Sequence, residues 1–304
     1  MKKVFLARAM LLIGFGAAAL AVIAQDAGPR PPVELNHVYV TLQKNTIDAI
    51  AKSKFIAEQF AMFNQSTTKT ADRQWTGSYI WGWRGYLELF APGGAQDVAE
   101  GSSGIGFSTL EVGSGGVIKS KLESLPGEKA VSSLETLVVG QKSFPWFDNI
   151  HLQSLGEGPF QAWLMDFRPE FIKLAQIKLT KDGLFDRHEY NDAVFRAPEK
   201  KAFASRLFDD LSEVHLELTA TESAAFDKFV TALGFVLSKA RDAKSYHAGS
   251  FTFFVTTRAN PTYRIRKVVC TLRSLVGPRA AYDFGPDARL VVHRGTAVWT
   301  FGPN

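Results

Sequence analysis

The sequence predicts an α+β chain built from a repeated strand-helix-strand-strand-strand unit (βαβββ), with two such units paired and a further α+β module after them. Three observations predict it. A strand bearing a histidine, Leu35-Asn36-His37-Val38-Tyr39-Val40, is followed by a helical pattern and later by a strand bearing a glutamate, Tyr86-Leu87-Glu88-Leu89-Phe90. After a break at Ala91-Pro92-Gly93-Gly94 the order starts again. A third segment, Glu213-Val214-His215-Leu216-Glu217-Leu218, echoes the first strand. Repetition of this kind decides the fold class before any single element does.

The chain opens on a segment, 1–24, that reads as a secretory signal peptide. Lys2, Lys3 and Arg8 give a charged start, Met10 to Ile23 an apolar core, and Val22-Ile23-Ala24 a small-residue cleavage site. The apolar stretch is shorter than the roughly 20 residues a spanning helix needs, so cleavage rather than anchoring is expected. The mature protein is expected in the periplasm or outside the cell, with no stable membrane insertion. Losing three positive charges takes the formal net charge from +5 to +2. No Lys/Arg run is interleaved with aromatics, so no nucleic-acid partner is indicated. The single cysteine, Cys270, cannot form an intrachain disulfide and lies in a strand-like run. A buried, inert thiol is the expectation.

Residues 25–32 read as a linker and 33–170 as two βαβββ modules. In the first, Glu34 to Leu42 alternates as a strand. Apolar residues at Ile47, Ile50, Ala51, Phe55, Ile56 and Phe60 predict a helix over 46–63. Strands then follow near 66–70, 75–81 and 85–90, rich in aromatic and β-branched residues. In the second, Ser103 to Thr109 is a strand, Val117 to Leu125 a helix, and 134–139, 149–153 and 161–167 are strands. Residues 171–204 form a charged connecting segment punctuated by Lys181-Asp182-Gly183. The 205–304 module opens on the His215 strand, continues with a helix over 222–233 that ends at Gly234, and adds strands at 250–257, 264–272, 289–293 and 295–301. Trp299 stands there where the first module has Glu88.

Strand side chains alternate between faces, so His37 and Glu88 on two strands of one curved sheet could aim at one cleft. Each also has a plainer reading, as a strand histidine bonded to backbone or an acid at a sheet edge. The rings of Tyr39, Trp75, Tyr79, Trp81, Trp83 and Tyr86 could line that cleft or build core; Tyr39, Tyr79 and Trp81 are the ligand-cleft candidates. Gly101-Ser102-Ser103-Gly104-Ile105-Gly106 precedes a strand, where a dinucleotide fingerprint must follow one, so it is not a phosphate cradle. No Ser/His/Asp constellation is visible.

The segments Leu35 to Val40, Tyr86 to Phe90 and Gly101 to Phe107, in this order of elements, resemble an uncharacterised bacterial group of glyoxalase-like proteins of the vicinal-oxygen-chelate superfamily. That resemblance implies paired modules around a divalent metal (Zn, Ni, Mn or Fe), with His37 and Glu88 at ligand positions and Asp166 near the third. If the first and last modules pair instead, His215 is the alternative third ligand. The implied activity is that of a metal-dependent lyase or dioxygenase acting on a small molecule with vicinal oxygens. The second module has no histidine on its first strand, which departs from the four-ligand pattern. The alternative is a metal-free, resistance-type protein that binds a small molecule in the same cleft. A homodimer is left open.

Overall fold

In the computed structural model, residues 32–94, 98–239 and 243–303 are described. The expected signal peptide, 1–24, and most of the linker after it lie outside these residues. Among the described residues no helix is long and apolar enough to cross a membrane.

Strand β1 (Val33–Thr41) leads into helix α1 (Lys44–Ala51), a π-helical turn at Ile56–Phe60, and strands β2 (Met62–Lys69), β3 (Gln74–Trp81) and β4 (Tyr86–Phe90). Then come β5 (Ser103–Thr109), α2 (Gly115–Glu123), β6 (Ala130–Val139), β7 (Lys142–Leu152), a single turn α3 (Gln153–Gly156) and β8 (Phe160–Phe167). These form one 8-stranded sheet in the order β2-β3-β4-β1-β5-β8-β7-β6. The pairs β1·β4 and β5·β8 are parallel. Parallel neighbours need a long crossover, and α1 and α2 lie on the two crossovers.

Along the chain between the two sheets lie three short helices, α4 (Pro169–Leu174), which begins two residues before the expected connecting segment, α5 (Arg187–Ala193) and α6 (Ala197–Phe203). After them come β9 (Phe208–Leu218), α7 (Ala220–Ala232), β10 (Val236–Lys239), β11 (Lys244–Ala248), β12 (Phe251–Thr257), β13 (Ile265–Leu272), β14 (Ala280–Phe284), β15 (Ala288–His293) and β16 (Thr296–Phe301). They build a second 8-stranded sheet, ordered β10-β11-β12-β9-β13-β16-β15-β14. The fold is therefore mixed α+β, with two curled sheets and few helices. The C-terminal stretch carries more strands than the sequence announces: β10, β11 and β14 are short or polar and have no clear alternation. Strand β13 pairs antiparallel with β16. No helix separates β13 from β14, so the chain turns straight back and the parallel crossover is lost.

The helix expected over 46–63 stops at Ala51, and Met62 already begins β2. Ile47, Ile50, Ile56 and Phe60 all reach one core, so their spacing reads as one helix across an interruption at Lys52-Ser53 that apolar periodicity does not register.

The main core lies between the sheets. Val38, Val40, Ile105 and Phe107 of the first sheet and Val214, Leu216, Phe253, Val268 and Trp299 of the second belong to one buried cluster with residues of α1, α2 and α7. The opposite face of the first sheet carries a second cluster. There Tyr79, Trp81, Tyr86, Phe147, Met165 and Phe167 meet Phe171, Phe185, Tyr190, Phe195 and Phe203 of the connecting segment. Strands β1, β4 and β5 are thus buried on both faces.

Arg187 on α5 fastens that segment in place. Its guanidinium donates to Glu34 Oε2 (2.9 Å), to the Leu35 carbonyl (2.6 Å) and to both Asp210 carboxylate oxygens (2.9 and 2.8 Å). Burial opposes its charge, but Asp210 and Glu34 outweigh that and raise its pKa. One side chain thereby joins α5, β1 and β9.

Candidate functional site

The site begins with an irregularity in β1. Leu35 pairs with Phe107 and His37 with Gly106, so Asn36 is an extra residue on β1. A bulge shifts the alternation by one. Val33 and Leu35 face the core before it, and Val38 and Val40 after it. His37 and Tyr39 are thereby turned to the other face. On β4 plain alternation suffices, with Leu87 and Leu89 in the core and Tyr86 and Glu88 opposite. Glu88 pairs across with Tyr79 of β3 and Tyr86 with Trp81, which places all four side chains on one face.

Strand β5 supplies almost no side chain to this face. Gly104 and Gly106 stand opposite Tyr39 and His37. A Cβ at Gly104 would overlap the Tyr39 ring, and one at Gly106 the His37 imidazole. The two glycines hollow the floor, and Trp163 of β8 forms the far wall. The resulting cleft encloses about 1050 Å³ and is lined by His37, Tyr39, Trp75, Tyr79, Trp81, Tyr86, Glu88, Trp163 and residues of β7, α4 and α5.

His37 Nδ1 lies 2.9 Å from Asn36 Oδ1, which makes Nδ1 the protonated nitrogen and leaves Nε2 as an acceptor facing the cleft. The imidazole stacks on Tyr86 at 4.5 Å between centroids and meets the edge of Trp163 at 5.3 Å. Nε2 is 3.8 Å from Glu88 Oε2. That is beyond hydrogen-bond length, and burial disfavours charge on both partners. Burial pushes His37 down to about 3 and Glu88 up to about 7. The contact is therefore not an ion pair. Hydrogen bonds from Tyr79 and Trp75 pull Glu88 back toward its anion; the Trp75 indole nitrogen is 3.2 Å from Oε1. Tyr39, Tyr79 and Tyr86 are raised first by burial, with the Glu88 charge adding to it, so all three are neutral phenols. The Tyr39 hydroxyl is buried on the cleft wall with no hydrogen-bond partner.

The structure brings His37 and Glu88 together, with Tyr39, Tyr79 and Trp81 around them. It does not bring Asp166 to them. Asp166 shares the face of Ala162 and Leu164, away from the cleft. Its Oδ1 accepts from the Thr109 hydroxyl (2.8 Å) and Gly113 N–H (2.8 Å), and Oδ2 from Gly115 N–H (2.8 Å). Helix α2 has no side-chain cap of its own at Ser114, and this carboxylate serves its N-terminus instead.

His215, the alternative third ligand, lies on the second sheet. It is bonded to Glu213 at 3.0 Å, stacked on Phe254, and absent from the cleft lining. Among the described residues no group of three or more His, Cys, Asp or Glu side chains could hold a metal ion. Of the expected ligands, His37 and Glu88 remain in the cleft, and Glu88 is already engaged by Trp75.

Trp83 leaves the cleft and stacks on His188 at 3.6 Å. Cys270 is buried, and burial pushes its thiol well up. Trp163 and the two floor glycines were missed from the sequence. Counting by twos along Gln161, Trp163 and Met165 would have found the first.

Comparison with known proteins gives a family and no activity. No curated protein matches this chain. A solved structure described as a hypothetical protein from Staphylococcus aureus is 8% identical, with a TM-score of 0.45 over 74% of this chain and 86% of that one. A xylose isomerase-like TIM barrel/4-hydroxyphenylpyruvate dioxygenase fusion protein is 8% identical, with a TM-score of 0.38 over 76% of this chain and 34% of that one. A family of unknown function, DUF5829, matches residues 35–301, and the chain belongs to that family.

Proposed function

We propose that this protein binds a small molecule in the cleft of the first sheet without a metal ion. The carrying observation is the Tyr39 hydroxyl, buried and unpartnered on the wall of a cleft of about 1050 Å³. A buried polar group without a partner costs free energy unless something supplies one, and a bound ligand would. The rest of the site has the composition of a ligand pocket: aromatic walls and a few convergent polar groups with shifted pKa values.

The divalent metal that a glyoxalase-like lyase or dioxygenase would need does not suit this donor set. His37 and Glu88 are two ligands, the third expected ligand caps a helix, and Glu88 is hydrogen-bonded by Trp75 and Tyr79. A cation held by these two side chains alone would lack the third protein ligand that fixes the geometry of a catalytic site.

We read the first sheet as two βαβββ modules of the vicinal-oxygen-chelate kind joined along β1 and β5. Its strand order and its two parallel pairs support this. The second sheet follows the same order but departs at β13, so its last unit is a variant. Export with cleavage after Ala24 is retained as part of the proposal, on the charged and apolar 1–24 segment; an intact Met1, or a chain retained in the membrane, would end it.

The test uses protein purified without chelator. Metal analysis should find well under one equivalent, unchanged in His37→Ala. A screen of small aromatic compounds followed by tryptophan fluorescence should find binders, weakened in Tyr39→Phe. Stoichiometric metal that disappears in His37→Ala would overturn the proposal.

A further inference from the structure

We propose that the occupant of the cleft is a flat or compact organic cation, seated with its positive charge beside Glu88 and against the surrounding ring faces. This rests on the binding reading above and gives the ligand its charge class.

Glu88 is 7% exposed, and no Lys or Arg among the described residues pairs with it. A buried carboxyl is normally paired, because taking its charge out of water is expensive. Here the nearest basic group is His37, and burial holds that imidazole neutral. Yet the carboxyl is equipped to be an anion. Trp75 donates an indole N–H to Oε1, and Tyr79 hydrogen-bonds it as well; both favour the charged form. Donors on one side and no cation on the other make half of an ion pair.

The surrounding rings favour the same kind of occupant. Tyr39, Tyr79, Tyr86, Trp75, Trp81 and Trp163 line the same cleft as the carboxyl. Ring faces carry negative potential, and a cation within about 6 Å of a centroid is attracted to them, more so when desolvated. An aromatic enclosure with one acid is therefore selective for positive charge. The other Arg, Glu and His side chains on the lining are Arg73, Glu157 and His151, whose pKa burial lowers. Arg73 is already paired with Glu135 at 2.8 Å and lies over Trp75, so it does not neutralise the interior. An anionic ligand would meet Glu88 unscreened. A neutral one would leave the acid protonated.

The titratable groups facing Glu88 are His37 and Tyr39 on β1, Tyr79 on β3, Tyr86 on β4 and Tyr190 on α5. Burial holds every one of them uncharged at neutral pH. Glu88, held up at about 7, is then the group that titrates with the ligand. A cation binds the carboxylate form and releases its proton, so affinity should rise roughly tenfold from pH 6 to pH 8 and level off above.

The test is isothermal titration calorimetry on the mature chain with two cations, N-methylquinolinium and benzyltrimethylammonium. Each is compared with neutral 1-methylnaphthalene and anionic 1-naphthoate at pH 6 and pH 8. The expected result is that at least one cation binds more tightly than both uncharged and anionic probes, with the tenfold gain at pH 8. In Glu88→Gln the gain should vanish while 1-methylnaphthalene binding persists, which shows that the variant is folded. Should that variant not fold, the wild-type pH profile and charge ranking decide alone. Binding of 1-methylnaphthalene or 1-naphthoate in preference to the cations, cation binding indifferent to pH, or an unaltered profile in Glu88→Gln would overturn the charge assignment and leave a binding cleft. Failure of all four probes would overturn both readings.

Discussion

The imidazole of His37 lies over the backbone of Gly106, where an added Cβ would come within 2.5 Å of Cε1. The ring has little room to yield, since it is stacked on Tyr86 on one side and edged by Trp163 on the other. Gly106→Ala should therefore destabilise the protein by about 1–3 kcal/mol, the usual cost of overpacking, and displace the ring from its site. Urea denaturation measures the first effect, and the histidine NMR resonances report the second. An unchanged midpoint with unchanged resonances would mean that the floor of the cleft is looser than these contacts imply.

Glu88 and His37 pull stability in opposite directions with pH. Burial raises Glu88 from 4.5 to about 7, so over that window the folded chain holds a proton that the unfolded chain has lost, and stability falls as pH rises. Burial lowers His37 from 6.5 to about 3, so below 6.5 the unfolded chain holds the extra proton, and stability climbs as pH rises from 3. Between about pH 4.5 and 6.5 the two slopes oppose one another. Glu88→Gln should unmask the His37 rise, and His37→Gln the Glu88 fall. At 1.36 kcal/mol per pKa unit the change over its window is on the order of 3 kcal/mol for Glu88 and on the order of 5 kcal/mol for His37. Chemical denaturation at four pH values across 4.5 to 7.5 checks both; a Glu88→Gln curve parallel to wild type would show that Glu88 carries no such slope.

Asp166 should behave as a structural residue. Asp166→Ala leaves the Thr109 hydroxyl and the Gly113 and Gly115 amides without their acceptor. The loss should be about 1–3 kcal/mol in urea denaturation, with no change in ligand binding to the cleft. A variant that keeps its stability and loses binding would return Asp166 to the site.

Arg187→Ala should be the most damaging single change among these. It takes the guanidinium fork from Asp210 and Glu34, whose side chains are 15% and 23% exposed, and removes the donor on the Leu35 carbonyl beside the bulge. Breaking a buried pair by deleting one partner costs about 3–5 kcal/mol. Arg187→Lys keeps the charge but not the fork, and should recover only part of that loss. Full recovery by lysine would show that charge alone matters here.

Much of the site was legible in the sequence, and the illegible part has a definite cause. The strands at Tyr86 to Phe90 and Ser103 to Thr109 lie where alternation and branching put them. His37 and Glu88 do share a face. For His37, however, strict alternation from Leu35 would have put the ring in the core; the bulge at Asn36 corrects it, and no residue type announces that bulge. Asp166 resembled a ligand because an acid near the end of a strand matches a module's pattern. Its face follows from counting by twos from Leu164, and that count places it with the helix. The sequence places the floor glycines on a strand and rules them out as a phosphate cradle, but does not show that their role is to be absent where two rings need space.

The shared core has a consequence for how the molecule can be taken apart. Phe107, behind the cleft floor on β5, packs edge-on against Phe229, Phe235 and Phe253, and Phe160 does the same against Phe226. The cleft-bearing half therefore rests in large part on a bed supplied by residues after 208. Cut free at the connecting segment, it would present that bed to water as an adhesive apolar surface, and a fragment carrying every cleft residue would aggregate rather than bind. Substitutions deep in the second sheet, touching nothing in the cleft, would set how firmly its walls stand and so how often the cleft is competent to be filled.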